Sequence, residues 1–565
     1  MYTASSAILE ALVEAGVEYL FANFGSDHPG LIEAIAEARA ENRPCPKVIT
    51  APTEMVAMSA AHGFAQARGR AQAVLVHVDC GTQALGGAVH NAAKGRVPVL
   101  IIAGMSPATQ EGEARGSRNE FIQWIQDVPD QRGLVRGYVR YENEIRVGAN
   151  AKQIVHRAMQ FAHSAPSGPV YIAAPREVLE SEVPRVTIDS NQWQPVAPGA
   201  LSAEQARRIS GALAGAEHAL VVTSYLGRSP AAVQELVALS EQLGVGVIES
   251  VPNHVNFPTT HPGYQGVQWN ERRQNEALAR ADVVLVIDSD VPWISAVNRP
   301  RPGAQIFHID ADPLKQQMPL WYIGATLQCH ADAAHALRQI REATAAGDTR
   351  KVEQRRKNLA ITHADWQRGV TEREQPRGEL TAEYLVACIR DAIGEDAIVV
   401  SESVTNFHVV SQHMRRTKPG TLFSSGGGSL GYNGGAAFGI KLARPDALVV
   451  AICGDGSYLF SQPSTVHWLA RAYQAPFLHV VLNNGGWRAP RQAVLSVRPD
   501  GLAAKAPKID IDFPQPPDYA AIAAAAGGSH PETVRSVAEV KPALERALRA
   551  VRDEKRSAVI DAHIR

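Results

Sequence analysis

Cysteine is scarce in this chain of 565 residues. Cys45, Cys80, Cys329, Cys388 and Cys453 are scattered, odd in number, and form no CxxC pair. Such thiols support neither a disulfide framework nor a zinc ribbon, and they fit a reducing compartment. Excess charge is lacking too: 56 Lys and Arg face 57 Asp and Glu, a formal net charge of -1. No global basic field exists to recruit nucleic acid or an anionic membrane. No apolar run approaches ~18 residues, so no membrane span is expected. The opening stretch MYTASSAILEALVEAGVEYLF carries Glu10 and Glu14 and has no basic region. It reads as an amphipathic helix and a poor signal peptide. The expectation is a cytoplasmic protein with neither nucleic-acid nor membrane partners.

Hydrophobic residues make up 45% of the chain, which excludes wholesale disorder. Short apolar runs recur between helical stretches, among them AVLVHV (73–78), PVLIIAG (98–104), ADVVLVID (281–288), ALVVAICGD (447–455) and FLHVVLNN (477–484). Near-continuous apolar strands bounded by Gly, Asp or Asn suit parallel sheets covered on both faces. Polar, Pro-rich sequence after Pro175 and a highly charged stretch over 340–378 read as boundaries. The expected fold class is therefore α/β, with three doubly wound parallel-sheet domains at 1–180, 195–340 and 376–565. Strand rhythm suggests that the first and third share an architecture.

The strongest constellation lies in the third domain. Gly454, Asp455, Gly456 and Ser457 follow one apolar strand, and Asn483 and Asn484 end the next. In a parallel sheet both strand ends lie on the carboxyl edge, where ligands bind. One carboxylate, one amide oxygen and a backbone carbonyl make a hard-oxygen site suited to Mg²⁺ that also grips phosphate. A second signal competes. Gly426, Gly428 and Gly431 satisfy G-x-G-x-x-G, and Asp455 ends the following strand. That pattern is shared with the dinucleotide fingerprint, so an NAD-dependent oxidoreductase is the competing reading. It leaves Asn483 and Asn484 unexplained.

With these residues in view, the chain resembles the thiamine diphosphate enzymes of the acetolactate synthase, pyruvate decarboxylase and benzoylformate decarboxylase superfamily. GDG followed by NN is similar to that family's diphosphate–Mg²⁺ motif, with a gap about two residues longer, placed around 462–467. The resemblance implies Mg²⁺ ligation by Asp455, the Asn484 side chain and the Gly486 carbonyl. It implies diphosphate contacts from Ser403, Thr405 and Ser457. Leu430 would be the apolar wedge beneath the thiazolium, and the Gly428 carbonyl would accept from the 4′-amino group. ITAPTEMVAMSAAHGFAQARGR (49–70) resembles the family's strand–Glu–helix segment. It places Glu54 as the acid that protonates N1′ of the aminopyrimidine, a job that desolvation of the carboxyl favours.

The same resemblance places His77 at the active-site histidine of the benzoylformate decarboxylase branch, as a proton relay able to titrate near neutral pH. It places Ser26 at that branch's substrate-contacting serine, with Asp27 and His28 beside it, and Gln123 at the active-site glutamine of acetolactate synthases. VIDSDVPWISAV (286–297) lacks the arginine with which acetolactate synthases contact FAD, which puts FAD in doubt. The stretch after Asn484 is long and rich in Pro, Arg and Lys, and reads as a lid. In it Trp487 would pack on substrate, while Arg488, Arg491, Arg498, Lys505 and Lys508 would meet an anionic one. The implied function is Mg²⁺- and thiamine diphosphate-dependent cleavage or formation of a C–C bond next to a carbonyl, on a 2-oxo acid or acyl substrate. A 2-hydroxyacyl-CoA lyase or oxalyl-CoA decarboxylase-like activity is the alternative, and a homodimer or homotetramer is implied.

Overall fold

The computed structural model describes residues 1–270, 273–344 and 349–564. Part of the charged stretch, 345–348, lies outside them. Three six-stranded sheets follow one another along the chain, and every strand pairing within them is parallel. The first contains β1 (Tyr19–Ala22), β2 (Lys47–Thr50), β3 (Ala73–Val76), β4 (Leu100–Met105), β5 (Glu142–Glu144) and β6 (Val170–Pro175), in the order β2-β1-β3-β4-β6-β5. The second contains β7 (Ala219–Thr223), β8 (Gly246–Ser250), β9 (Tyr264–Gln268), β10 (Val283–Ile287), β11 (Gln305–Asp310) and β12 (Leu327–His330), in the order β12-β11-β10-β7-β8-β9. The third contains β13 (Ile398–Glu402), β14 (Leu422–Phe423), β15 (Val449–Gly454), β16 (Leu478–Asn483), β17 (His530–Val534) and β18 (Ala558–His563), in the order β14-β13-β15-β16-β18-β17.

The first and third sheets thus share one strand order, as the rhythm of the sequence suggested. The middle sheet instead has the order of a dinucleotide-binding fold, with its crevice at the ends of β7 and β10. The central strands of all three, such as β3, β7 and β10, are buried along their length, which is why they read as uninterrupted apolar runs.

One local expectation changes. The N-terminal helix spans Ala4–Glu14 and closes before Gly16, so Tyr19, Leu20 and Phe21 belong to a strand rather than to the helix. Alternating and helical apolar periods merge there because β1 follows the helix within a few residues. The stretch over 340–378, read as part helix and part linker, carries a helix over Thr349–Arg373. Among the described residues no helix is long and apolar enough to cross a membrane.

One helix pair joins the first and third domains at backbone distance. Thr53 is the extended N-cap of the Glu54–Arg68 helix, Glu54 and Arg68 complement its dipole, and Gly69 (φ 70°) ends it. This helix packs on the Tyr432–Ala443 helix. A methyl group on Gly439 would lie 1.9 Å from the Ala60 carbonyl oxygen, and one on Gly63 would lie 2.3 Å from that of Ala436. Only glycine permits this approach. Leu430 precedes one helix and Glu54 opens the other, so the contact fixes where each of them stands.

Candidate active site

The carboxyl edge of the third sheet builds a pocket of about 250 Å³. Ser403, Thr405, Leu430, Asp455, Asn484 and Trp487 all line it. Gly454, Gly456, Ser457 and Gly486 line it too, so nearly the whole predicted third-domain set converges. Gly428 is the exception: it is exposed, and its amide donates to His90 Nε2 at 3.1 Å. The wedge loop is held from the first domain. The Asn91 amide donates to the Ser429 carbonyl at 2.8 Å, and Asn91 Oδ1 accepts the Ser429 amide at 3.1 Å.

The two asparagines of the NN pair have different roles. Asn483 donates to Asp561 Oδ1 at 2.9 Å and accepts the Gly485 amide, so its side chain is spent on structure. Asn484 Oδ1 is buried and has no hydrogen-bond partner. Beside it, Asp455 is 2% exposed and accepts amides from Gly456 and Gly486, each at 2.9 Å. Burial nevertheless pushes its carboxyl above the ordinary range. A buried acceptor without a donor is costly. Here it adjoins a buried carboxylate in a pocket that opens to solvent. A buried carboxylate and an unpartnered amide oxygen lining one pocket are hard donors of the kind that suits Mg²⁺. Among the described residues no cluster of three or more His, Cys, Asp or Glu can hold a metal, so such a site must borrow an amide and a carbonyl.

Gly485 (φ 76°) and Gly486 (φ 146°) turn the chain out of β16 in conformations that other residues rarely adopt. The segment that follows is more ordered than its composition suggested. It contains the Arg488–Val497 helix and the Leu502–Lys505 turn of helix. It then folds back, so that the Trp487 amide donates to the Ile511 carbonyl at 2.9 Å and the Phe513 amide to the Gly485 carbonyl at 3.0 Å. Trp487 lies over the GDG turn: a methyl group on Gly456 would be 2.7 Å from its Nε1. Arg488 pairs with Asp512, and Arg491 donates to the Ala506 carbonyl at 3.1 Å. Between the GDG and NN strands, one crossover helix is replaced by two, Asp455–Phe460 and Pro463–Ala472. They are broken at Gln462 in a left-handed conformation (φ 55°).

The competing glycine-rich reading meets two obstacles. β14 and β15 are not neighbours, because β13 lies between them, so Asp455 does not stand beside the strand that precedes the glycines. The helix N-terminus that would face a pyrophosphate is already filled. Glu402 accepts the amides of Gly431 at 2.8 Å and Asn433 at 2.9 Å, and the Tyr432 amide at 3.4 Å. Burial pushes the Glu402 carboxyl up to about 8.

The carboxyl edge of the first sheet carries a second cluster. Glu54 is half-buried, accepts from Asn23 Nδ2 at 2.8 Å, and is raised above its ordinary range by burial. His77 Nδ1 meets Asp27 Oδ1 at 2.6 Å, and its Nε2 meets Gln126 Oε1 at 3.1 Å. The hydrogen bond to Asp27 raises the His77 imidazole. Burial alone would raise Asp27, but His28, His77 and the Val78 amide together hold it below its ordinary range. Val78 itself sits at φ 33°, a strained conformation for a β-branched residue, directly after His77. His28 is fully buried, accepts the Gly25 amide at Nδ1, and is pushed by burial toward the neutral form. The Ser26 carbonyl is held by Arg176 at 3.1 Å.

Gln123 is only 2% exposed and is turned into its own loop, where Oε1 accepts the Asn119 amide at 2.9 Å. Its Nε2 has no partner. Asn23, Gln126, Arg176 and Glu402 were not singled out from sequence. Gln126 lies three residues from Gln123 in IQWIQ, and nothing in that spacing says which glutamine faces His77.

Three family models of thiamine pyrophosphate enzymes match the chain in order. The N-terminal binding domain covers residues 2–134, the central domain 206–340, and the C-terminal binding domain 403–562. The chain belongs to the thiamine pyrophosphate enzymes. A sulfoacetaldehyde acetyltransferase of Castellaniella defragrans is 25% identical over 99% of this chain and 92% of its own length. A benzoylformate decarboxylase of Pseudomonas aeruginosa is 27% identical, over 90% and 91%. An acetolactate synthase large subunit of Corynebacterium glutamicum is 26% identical, over 78% and 69%. Among solved structures, a thiamine diphosphate-dependent 4-hydroxybenzoylformate decarboxylase of Rhodococcus jostii superposes with a TM-score of 0.79 at 22% identity, covering 100% of this chain and 99% of its own. That likeness is one of fold. In this thiamine pyrophosphate enzyme, no first-domain residue among the described residues lines the Asp455 pocket.

Proposed function

We propose that the enzyme binds thiamine diphosphate and Mg²⁺ and cleaves or forms the C–C bond next to the carbonyl of a 2-oxo acid, by decarboxylation, carboligation or both. The observation that carries this reading is the orphaned Asn484 Oδ1 beside buried Asp455. Asp455, Asn484 and the Gly486 carbonyl would hold Mg²⁺. Ser403, Thr405, Gly454, Gly456 and Ser457 would surround the diphosphate, Leu430 would support the ring, and the Gly428 carbonyl would accept from the aminopyrimidine. The bound cofactor supplies a nucleophilic thiazolium carbon and an electron sink for the bond that breaks.

The chain's own residues manage protons and orientation. Desolvation favours the protonated form of Glu54, which can give its proton to a ring nitrogen. His77, whose protonated form the Asp27 hydrogen bond favours, relays a proton to or from substrate. Gln123 has only Nε2 to offer, so it orients by donating. Ser26, neutral His28 and Trp487 complete the substrate surround. FAD is not assigned. At the ends of β10 and β11 the charges pair with one another: Arg96 meets Asp310 at 2.7 Å and Asp290 at 2.8 Å, and Lys315 meets the same two at 2.6 and 2.8 Å.

A second copy supplies the missing half of each site. The two halves expose apolar surface that a monomer has no reason to show: Phe121 is 93% exposed and Ile125 77% on the first domain, with Phe460, Trp487 and Leu502 also exposed on the third. Calorimetric titration of metal-stripped protein with thiamine diphosphate tests the reading. Saturable binding that requires Mg²⁺ and weakens at least ~10-fold in Asn484→Ala is expected, on the scale of losses at metal sites. Binding indifferent to Mg²⁺ or to that substitution would sink the metal assignment. Light scattering should return at least twice the chain mass.

A further inference from the structure

The helix pair that joins the first and third domains has a second end. The Glu54–Arg68 helix closes with Arg68, and the Tyr432–Ala443 helix is followed at once by Arg444. Arg444 Nη2 donates to the Ala67 carbonyl at 2.9 Å, which ties the two ends together. Both arginines line a cavity of about 730 Å³ where all three domains meet, and Arg228 of the middle domain lines it as well. Arg228 is turned to Asp288 at 3.3 Å. Arg68 and Arg444 are exposed, and among the described residues neither forms an ion pair. The one acid in the wall, Asp396, is held by Lys418 at 2.6 Å. His254 lines the same cavity, is 4% exposed, and leaves Nδ1 without a partner. Its ring meets Phe423 edge-on, with centroids 5.6 Å apart.

We propose that this cavity binds a small organic anion of two or more negative charges, gripped by Arg68 and Arg444 with Arg228 at the third side. Guanidinium groups gathered around one cavity with low-dielectric walls raise its potential and concentrate anions. Each guanidinium presents a planar fork that matches a carboxylate or a phosphoryl group. The volume lies within the ~300–1,000 Å³ range of small-molecule sites, more than a single inorganic anion fills. The His254–Phe423 wall meets the rest of the ligand. The cavity shares no lining residue with the Asp455 pocket. A helix the length of Glu54–Arg68 spans about 22 Å, which puts this site far from the proposed chemistry. Its occupant touches all three domains at the base of the helices that carry Glu54 and Leu430.

The test is calorimetric titration of the full-length protein, with and without thiamine diphosphate, using succinate in one series and adenosine monophosphate in the other. Each series is repeated on Arg68→Gln and on the Arg68→Gln/Arg444→Gln pair. Saturable binding of one ligand per chain, weakened at least tenfold in the double variant, is expected. Binding of succinate alone identifies a dicarboxylate, and binding of the nucleotide alone a phosphate ester. Arg68 makes no hydrogen bond that the fold needs, so the single variant gives a readable result even where the double variant fails to fold; it should weaken binding at least threefold. No saturable binding of either ligand, or binding unchanged by the substitutions, overturns the proposal. These titrations need neither turnover nor cofactor, so their failure is distinct from failure of the 2-oxo acid reading.

Discussion

His77 Nδ1 lies 2.6 Å from Asp27 Oδ1, while its other nitrogen faces Gln126. The imidazole is raised by this bond and the carboxylate is lowered. The His77 contribution to stability is therefore fully present below the unfolded histidine value of ~6.5 and is lost as pH rises through the folded one. That of Asp27 is present above the unfolded aspartate value of ~3.9 and is lost as pH falls through the folded one. Asp27→Asn should lower the His77 titration midpoint, read by nuclear magnetic resonance of the imidazole protons. The limb of the rate profile that depends on protonated His77 should move to lower pH with it. An unmoved midpoint would mean that Asp27 does not set the charge of His77.

Glu54→Gln keeps the shape and leaves a partner for Asn23, but it removes the transferable proton. Turnover of a 2-oxo acid should fall by roughly 10²–10⁴, the usual worth of a general acid or base. Cofactor affinity, set by the other half of the site, should change far less. Undiminished turnover in steady-state assays would remove Glu54 from the mechanism.

Glu402 gives a different pH signature. Its folded value is near 8, above the ordinary 4.5. Between those values the folded chain holds a proton that the unfolded chain has released, so stability falls as pH rises across that window. Thermal unfolding of the native protein should show this decline, and Glu402→Gln should flatten it. A Glu402→Gln curve that keeps the same slope would assign the decline to other groups.

Backbone contact between the two helices predicts a sharp contrast among glycines. Gly439→Val places a side chain against the Ala60 carbonyl. It should lower stability by at least ~1–3 kcal/mol, the range for overpacking. Gly211→Ala, in the Ala203–Gly215 helix where a methyl group meets nothing within 4 Å, should raise it by roughly 0.5–1 kcal/mol. Denaturant titrations that ranked the two in the opposite order would contradict the packing described.

The architecture was legible because apolar strands of parallel sheets leave continuous runs, and β3, β10, β15 and β16 announce themselves that way. Short or edge strands such as β5 (ENE) and β14 (Leu422–Phe423) carry no such run and emerge only from pairing. GDG and NN were legible as a pair because two strand ends were involved. The split between Asn483 and Asn484 was not, since it depends on Asp561, 78 residues away. Glutamines posed the same difficulty: which of Gln123 and Gln126 meets His77 is set by how Arg176 and the Asn119 amide hold the loop. Glycine-rich sequence before a helix fits either a phosphate or an internal carboxylate, and only the position of Glu402 decides between them.

The absence of any side chain between Ala60 and Gly439 has a mechanical consequence. Two domains clamped backbone to backbone cannot slide or hinge against each other without breaking a contact that has no slack. The first and third domains of one chain therefore travel as a single rigid body. Opening of the proposed site would then fall to the segment from Gly485 to Phe513, with Trp487 as its inner face.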